Sequence, residues 1–185
     1  MSEMTSYSFD LAEEMVTQLE QEFGPKALGN EMEQSFDGAP DDASATKLFE
    51  DFGRRWMERS IELGEQHTDR TYDLLKETAE EIPELRFPYI PQRFIEIAYL
   101  CTQPIYTVPI SENSISGLVF KMPFCGYFTT IQDSQGDEFA DKLHCKSICT
   151  AACEKAFKHF GHDVNVGLDM TMAEDGVCQF SIRKA

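Results

Sequence analysis

The densest chemistry in the sequence is sulfur. His144, Cys145, Cys149 and Cys153 follow one another closely, the three cysteines at spacings of four. On a helix that spacing brings the thiols along one face. Thiolates are soft ligands for zinc, copper(I) or iron–sulfur clusters, but one helix face cannot surround a metal ion. Further donors must come from elsewhere, and two cysteines are placed to supply them: Cys125, just after an expected strand, and Cys178, inside the last expected strand. The candidate metal set is therefore Cys125, Cys145, Cys149, Cys153 and Cys178, holding zinc or an iron–sulfur cluster. Three protein thiolates would leave one position open to polarise a substrate or activate water.

Two competing uses of the same residues stand beside this. Cysteine is among the most buried residue types, and Phe139, Leu143, Ile148, Ala152, Ala156 and Phe160 share or adjoin the thiol-bearing face, so packing alone accounts for any one thiol. Cys101 reads as core. Cys125 could instead be a nucleophile with His144 as its base. Arg93 and Lys121 are candidates for binding a substrate carboxylate, with Tyr127 as a further contact. His159 and His162 flank Gly161 and read as a polar helix end, and His67 receives no role. There is no phosphate loop, dinucleotide fingerprint, H-E-x-x-H or nucleophile elbow.

These residues must be positioned by a chain of 185 residues, enough for one core without disulfide staples. The spacing predicts an amphipathic helix over residues 8–23 through Leu11, Met15, Leu19 and Phe23, ended by Gly24 and Pro25, then a short helix over 26–36. A loop over 37–44 follows, with Ser44 as cap. Leu48, Phe52, Trp56 and Leu63 open a long helical stretch that Gly64 kinks or breaks and Pro83 stops. Pro91 suits the first position of a helix through Phe94 and Tyr99.

After Pro104 the period changes. Residues 105–110 and 115–122 read as paired strands, 137–160 as one long helix, and 164–172 with 177–182 as a second strand pair turning at Glu174-Asp175-Gly176. The prediction is an α+β protein: an acidic helical region over 1–85 packed on a cysteine-rich α+β unit over 86–185 that binds a ligand or metal.

Charge bounds the partners. The net charge is -17. Residues 1–85 carry 22 acidic and 7 basic side chains against 11 and 9 in the remainder. Such a balance opposes binding to nucleic acid or to an anionic membrane surface. No apolar run approaches the roughly 18 residues of a membrane span, and the first residues lack the pattern of a secretory signal. A cytoplasmic protein with reduced thiols is expected, and apolar faces on the N-terminal helices leave room for a homodimer.

The order of a helix bearing Pro91 and Ile95 to Ala98, a strand after Pro104, Phe120-Lys121-Met122-Pro123-Phe124-Cys125 with Tyr127 and Phe128, the cysteine helix, and the closing Asp175-Gly176-Val177-Cys178-Gln179-Phe180-Ser181-Ile182 resembles a known family. It is similar to the L-2-amino-thiazoline-4-carboxylic acid hydrolases over residues 85–185, and more distantly to vinyl-reductase type ligand-binding domains. The first resemblance implies hydrolysis of a small cyclic C=N substrate bearing a carboxylate. The second implies a non-catalytic domain that binds or senses a small molecule or metal.

Overall fold

The computed structural model describes residues 11–36, 38 and 40–185. Residues 8–10 of the first expected helix, and Asp37 and Ala39 of the expected loop, lie outside them. The chain is α+β, with helices leading and an antiparallel sheet in the C-terminal half. Helix α1 (Glu13–Phe23) turns Met15, Leu19 and Phe23 inward, as the spacing of four requires. Pro25 opens α2 (Pro25–Ser35), where a missing N–H costs nothing. Helix α3 (Asp42–Gln66) is capped by Asp41, whose carboxylate accepts from the Ala43 and Ser44 amides at 3.0 Å each. Ser44 was the expected cap, but a charged acceptor is also favoured by the helix dipole.

The long helical stretch breaks three residues later than expected. Helix α4 (Arg70–Glu81) restarts at Asp69, whose side chain accepts from Tyr72 N–H at 2.8 Å. Gly64 stays helical because a Cβ there would stand 2.8 Å from the Phe94 ring, so its absence lets α3 approach α5. Pro83 does stop α4, in a 3-10 turn (Pro83–Arg86) that leads to α5 (Tyr89–Thr102), which begins two residues before Pro91.

The two expected strand pairs are present. β1 (Ile110–Ser114) pairs β2 (Gly117–Met122), and β3 (Val164–Met170) pairs β4 (Cys178–Lys184). They form one sheet in the order β1-β2-β4-β3, because β2 also pairs β4, with Phe120 opposite Phe180 and Met122 opposite Cys178. β1 starts later than expected, beyond Pro104 and Pro109. The β3–β4 connection folds as a short helix, α9 (Met172–Asp175), ended by Gly176 at φ +67.

The largest departure concerns the expected helix over 137–160. It is two helices, α7 (Asp137–Asp141) and α8 (Lys146–His159), separated by a tight turn in which Leu143 adopts φ +56. An unforeseen helix, α6 (Gly126–Gln135), precedes them. Cys145 is consequently the residue that begins α8 rather than a member of its middle.

A single core joins the helical half to the sheet. Its spine is a run of aromatic pairs: Phe23 to Phe52 at 5.5 Å, Phe52 to Tyr127 at 5.7 Å, Tyr127 to Trp56 at 5.4 Å, Trp56 to Tyr99 at 5.1 Å, Tyr99 to Phe120 at 5.7 Å, and Phe120 to Phe180 at 5.2 Å. Each such pair contributes about 0.5–1.5 kcal/mol beyond its burial. Helices α3 and α8 approach so closely that a Cβ on Gly53 would lie 2.1 Å from the Ile148 carbonyl oxygen. Among the described residues no helix is long and apolar enough to cross a membrane.

Candidate functional site

Four of the five candidate thiols lie within electrostatic reach of one another. Cys125 caps α6, its sulfur accepting from Phe128 N–H at 3.4 Å. Cys145 and Cys149 lie a turn apart at the start of α8, and Cys178 opens β4. A charge on Cys125 or Cys178 would be felt by Cys145 and Cys149, and Cys125 feels Cys178 in turn. Cys153 lies apart from this group: it is fully buried and its charged neighbour is Glu154. Cys101 is core, as expected, and burial pushes its thiol up to about 12.

Those four thiols are held protonated. Burial pushes Cys125 up to about 11, with Cys178 adding to the rise and the Phe128 amide opposing it. Burial first, and neighbouring thiols second, likewise raise Cys145 and Cys149. Cys178 is raised by burial, partly offset by an amide bond from Met172. Such thiols are weak nucleophiles and weak ligands. No hydrogen bond links Cys125 to the expected base His144, whose imidazole pairs instead with Asp42 at 3.2 Å. Iodoacetamide should therefore alkylate Cys125 at pH 7 about a hundred times more slowly than an ordinary thiol, with a rate still rising above pH 9. Rapid labelling at pH 7, mapped by peptide mass spectrometry, would contradict this environment.

The expected zinc or iron–sulfur site is not formed. Among the described residues no group of three or more His, Cys, Asp or Glu side chains is arranged to hold a metal ion. Cys125, Cys145, Cys149 and Cys178 are contributed by three elements, and burial and packing govern them. Two of the expected ligand contacts also change character. Tyr127 is a core strut whose hydroxyl donates to the Phe23 carbonyl at 2.7 Å. Lys121 stands half-exposed on β2.

Arg93 lies in different surroundings. It is 3 % exposed. Its Nη1 donates to Asp69 Oδ2 at 2.6 Å, its Nη2 lies 3.5 Å from the His67 carbonyl oxygen, and its guanidinium covers the Tyr72 ring at 4.4 Å. Burial by itself raises the Asp69 carboxyl, but the Tyr72 amide and Arg93 outweigh it and hold the group below its ordinary value.

Two clefts open on either side of Tyr72. One, of about 160 Å³, lies between α4 and α5 and is lined by Thr71, Tyr72, Leu75, Tyr89, Gln92, Arg93 and Glu96. The other, of about 290 Å³, is bordered by Glu65, Lys76, Arg86, Ile90 and Phe160. Burial raises the Glu96 carboxyl above its ordinary value against the opposing effects of Gln92 and Arg93. The sequence reading passed over Asp69, Tyr72, Gln92 and Glu96. A signal was present: Gln92, Arg93 and Glu96 interrupt an otherwise apolar α5 at spacings of three and four, which sets them on one face.

Comparison with known proteins corrects the family expectation. No family model matches the chain, and no curated protein matches it. Among solved structures it is similar to the Fe(II) unliganded H-NOX protein from K. algicida, with 12% identity, 93% of each chain covered and a TM-score of 0.34. It is also similar to a structure determined to probe heme distortion in the H-NOX family, at 11% identity over 91% of this chain and 89% of that one, TM-score 0.29. Values this low transfer no property from those proteins to this one. The expected thiazoline hydrolase membership has no support in any of these comparisons, and with it falls the expected hydrolysis of a C=N substrate.

Proposed function

We propose that the chain is a non-catalytic domain that binds a small molecule, with the 160 Å³ cleft between α4 and α5 as the ligand seat. One observation carries this reading: the cleft sets a few fixed polar groups, Glu96 and the buried Arg93 among them, into walls made by Tyr72, Leu75 and Tyr89. Concave, mostly apolar sites with a small number of oriented polar groups are what small ligands require. The cleft is bordered by no cysteine or histidine. Helix α4 fully buries only Tyr72 and Ala79, so a ligand could shift it at modest cost.

Neither cleft beside Tyr72 is bordered by His, Cys or Met, the common axial donors to a heme iron, so the seat is not read as a heme slot.

Ligand-observed NMR with a set of small fragments carrying ammonium, carboxylate or neutral head groups tests the reading. Leu75 is half-buried on the cleft wall, and Leu75→Trp should fill the space. At least one head-group class is expected to bind the wild-type chain and to lose at least tenfold in affinity in Leu75→Trp, while Cys149→Ser leaves binding intact. Binding that ignores Leu75→Trp, or no binding by any class, overturns the proposal.

A further inference from the structure

The charge balance of the same cleft points to its ligand class, and we infer that it takes a small organic cation: a primary ammonium on a short hydrocarbon chain. The inference rests on the cleft being the ligand seat. Arg93 faces two carboxylates, Asp69 through a 2.6 Å ion pair and Glu96 through a longer-range attraction, so the cleft holds one negative charge in excess of its positive ones. The Glu96 carboxylate receives one hydrogen bond among the described residues, from Gln92 Nε2 to Oε1 at 2.6 Å, and its Oε2 accepts none. Gln92 is itself held by Asn113 of β1, so the carboxylate is oriented from behind.

A half-buried carboxylate short of donors attracts a group that carries both positive charge and N–H bonds. A carboxylate ligand would meet Glu96 and Asp69 with the nearest cation already engaged. The hydrocarbon part would lie along Leu75, Tyr72 and Tyr89. With a water occupying about 30 Å³ of liquid, 160 Å³ admits a head group and roughly four carbons. The net charge of -17 raises the local concentration of cations around the whole molecule.

Glu96 also gives the test a readout independent of binding. A carboxyl raised by burial opposes folding once pH rises through its folded value, because the unfolded chain ionises more readily. Replacing it with the neutral isostere should therefore raise Tm at pH 7 while removing the ligand. The groups facing Glu96 are Gln92 and Arg93 on its own helix and Thr71 and Tyr72 on α4, with Asp69 behind Arg93. Affinity for the cation should fall as acid protonates Glu96, whose carboxyl burial holds above its ordinary value.

The experiment titrates n-butylammonium, n-butanol and butyrate into the full chain, followed by protein NMR at pH 7. Butylammonium should bind saturably and at least tenfold more tightly than butanol, butyrate should not bind, and Glu96→Gln should lose at least tenfold for butylammonium while melting higher. Butanol or butyrate binding as well as butylammonium, with sensitivity to Leu75→Trp, overturns the cation and leaves the ligand seat standing. No binding by any of the three overturns the cation, and the fragment set then decides the seat.

Discussion

Replacing Arg93 with leucine should cost about 3–5 kcal/mol, because it strands the Asp69 carboxylate, only 16% exposed in its side chain, without its cation. In a chain of this length that corresponds to a fall in Tm of roughly 10 °C or more. The loss should be partly recovered in Arg93→Leu combined with Asp69→Asn, since asparagine still caps α4 and no charge is left buried. The pH dependence has a definite sign. Asp69 is depressed in the folded state, so the stability it contributes is present above the ordinary carboxylate range near 4 and fades as pH falls through the depressed value. Wild type and Arg93→Leu should therefore differ most near neutrality and converge toward pH 3. Thermal melts across that range decide the matter, and a gap that stays constant down to pH 3 would show that the pair contributes by packing alone.

Gly53→Ala should be comparably damaging despite adding a single methyl group to an α-helix. Alanine is favoured over glycine inside a helix by about 1 kcal/mol. Against this, the new Cβ would sit 2.1 Å from the Ile148 oxygen and 2.9 Å from the Ile148 Cα, all backbone atoms of α8 that no rotamer change can move aside. Separating α3 from α8 would open the contact along the Trp56 side of the core, where overpacking ordinarily costs about 1–3 kcal/mol and rigid backbone contacts cost more. We expect a net loss of about 3 kcal/mol, read by urea denaturation. Gly64→Ala is the control: its Cβ would meet side-chain atoms of Phe94 and Ile97 at 2.8 and 3.0 Å rather than backbone, so it should lose less. Equal losses at the two positions would contradict this account of the α3–α8 contact.

Much of the fold was legible because it depends on local pattern. Spacings of four put Met15, Leu19 and Phe23 inward, Pro25 and Pro83 marked helix boundaries, and alternation along Cys178, Phe180 and Ile182 found the inner face of β4. What stayed hidden depends on contacts between distant parts. The turn at Leu143 has no glycine to announce it, so two helices read as one. Nothing in the cysteine spacing distinguishes thiols that stay buried and protonated from thiols that bind a metal, because the outcome is set by burial. The cleft was missed for the converse reason. Its polar residues on α5 were visible and Arg93 read as a carboxylate-binding candidate, but α4 and Asp69 reach it only through tertiary packing, so its actual partners were not foreseen.

The placement of β4 between β2 and β3 has a consequence for assembly. Until residues 178–184 settle between their neighbours, β2 and β3 each present an open row of amides and carbonyls to solvent. A ribosome releases the three other strands first, so the nascent chain carries unpaired edges until the central one arrives, and sheet closure is deferred to a single late docking step. Once docked, β2 and β4 each pair on both sides, whereas β1 and β3 stay at the edges. Backbone amides shared by β2 and β4 should consequently exchange with deuterium together and more slowly than those on the free edge of β3.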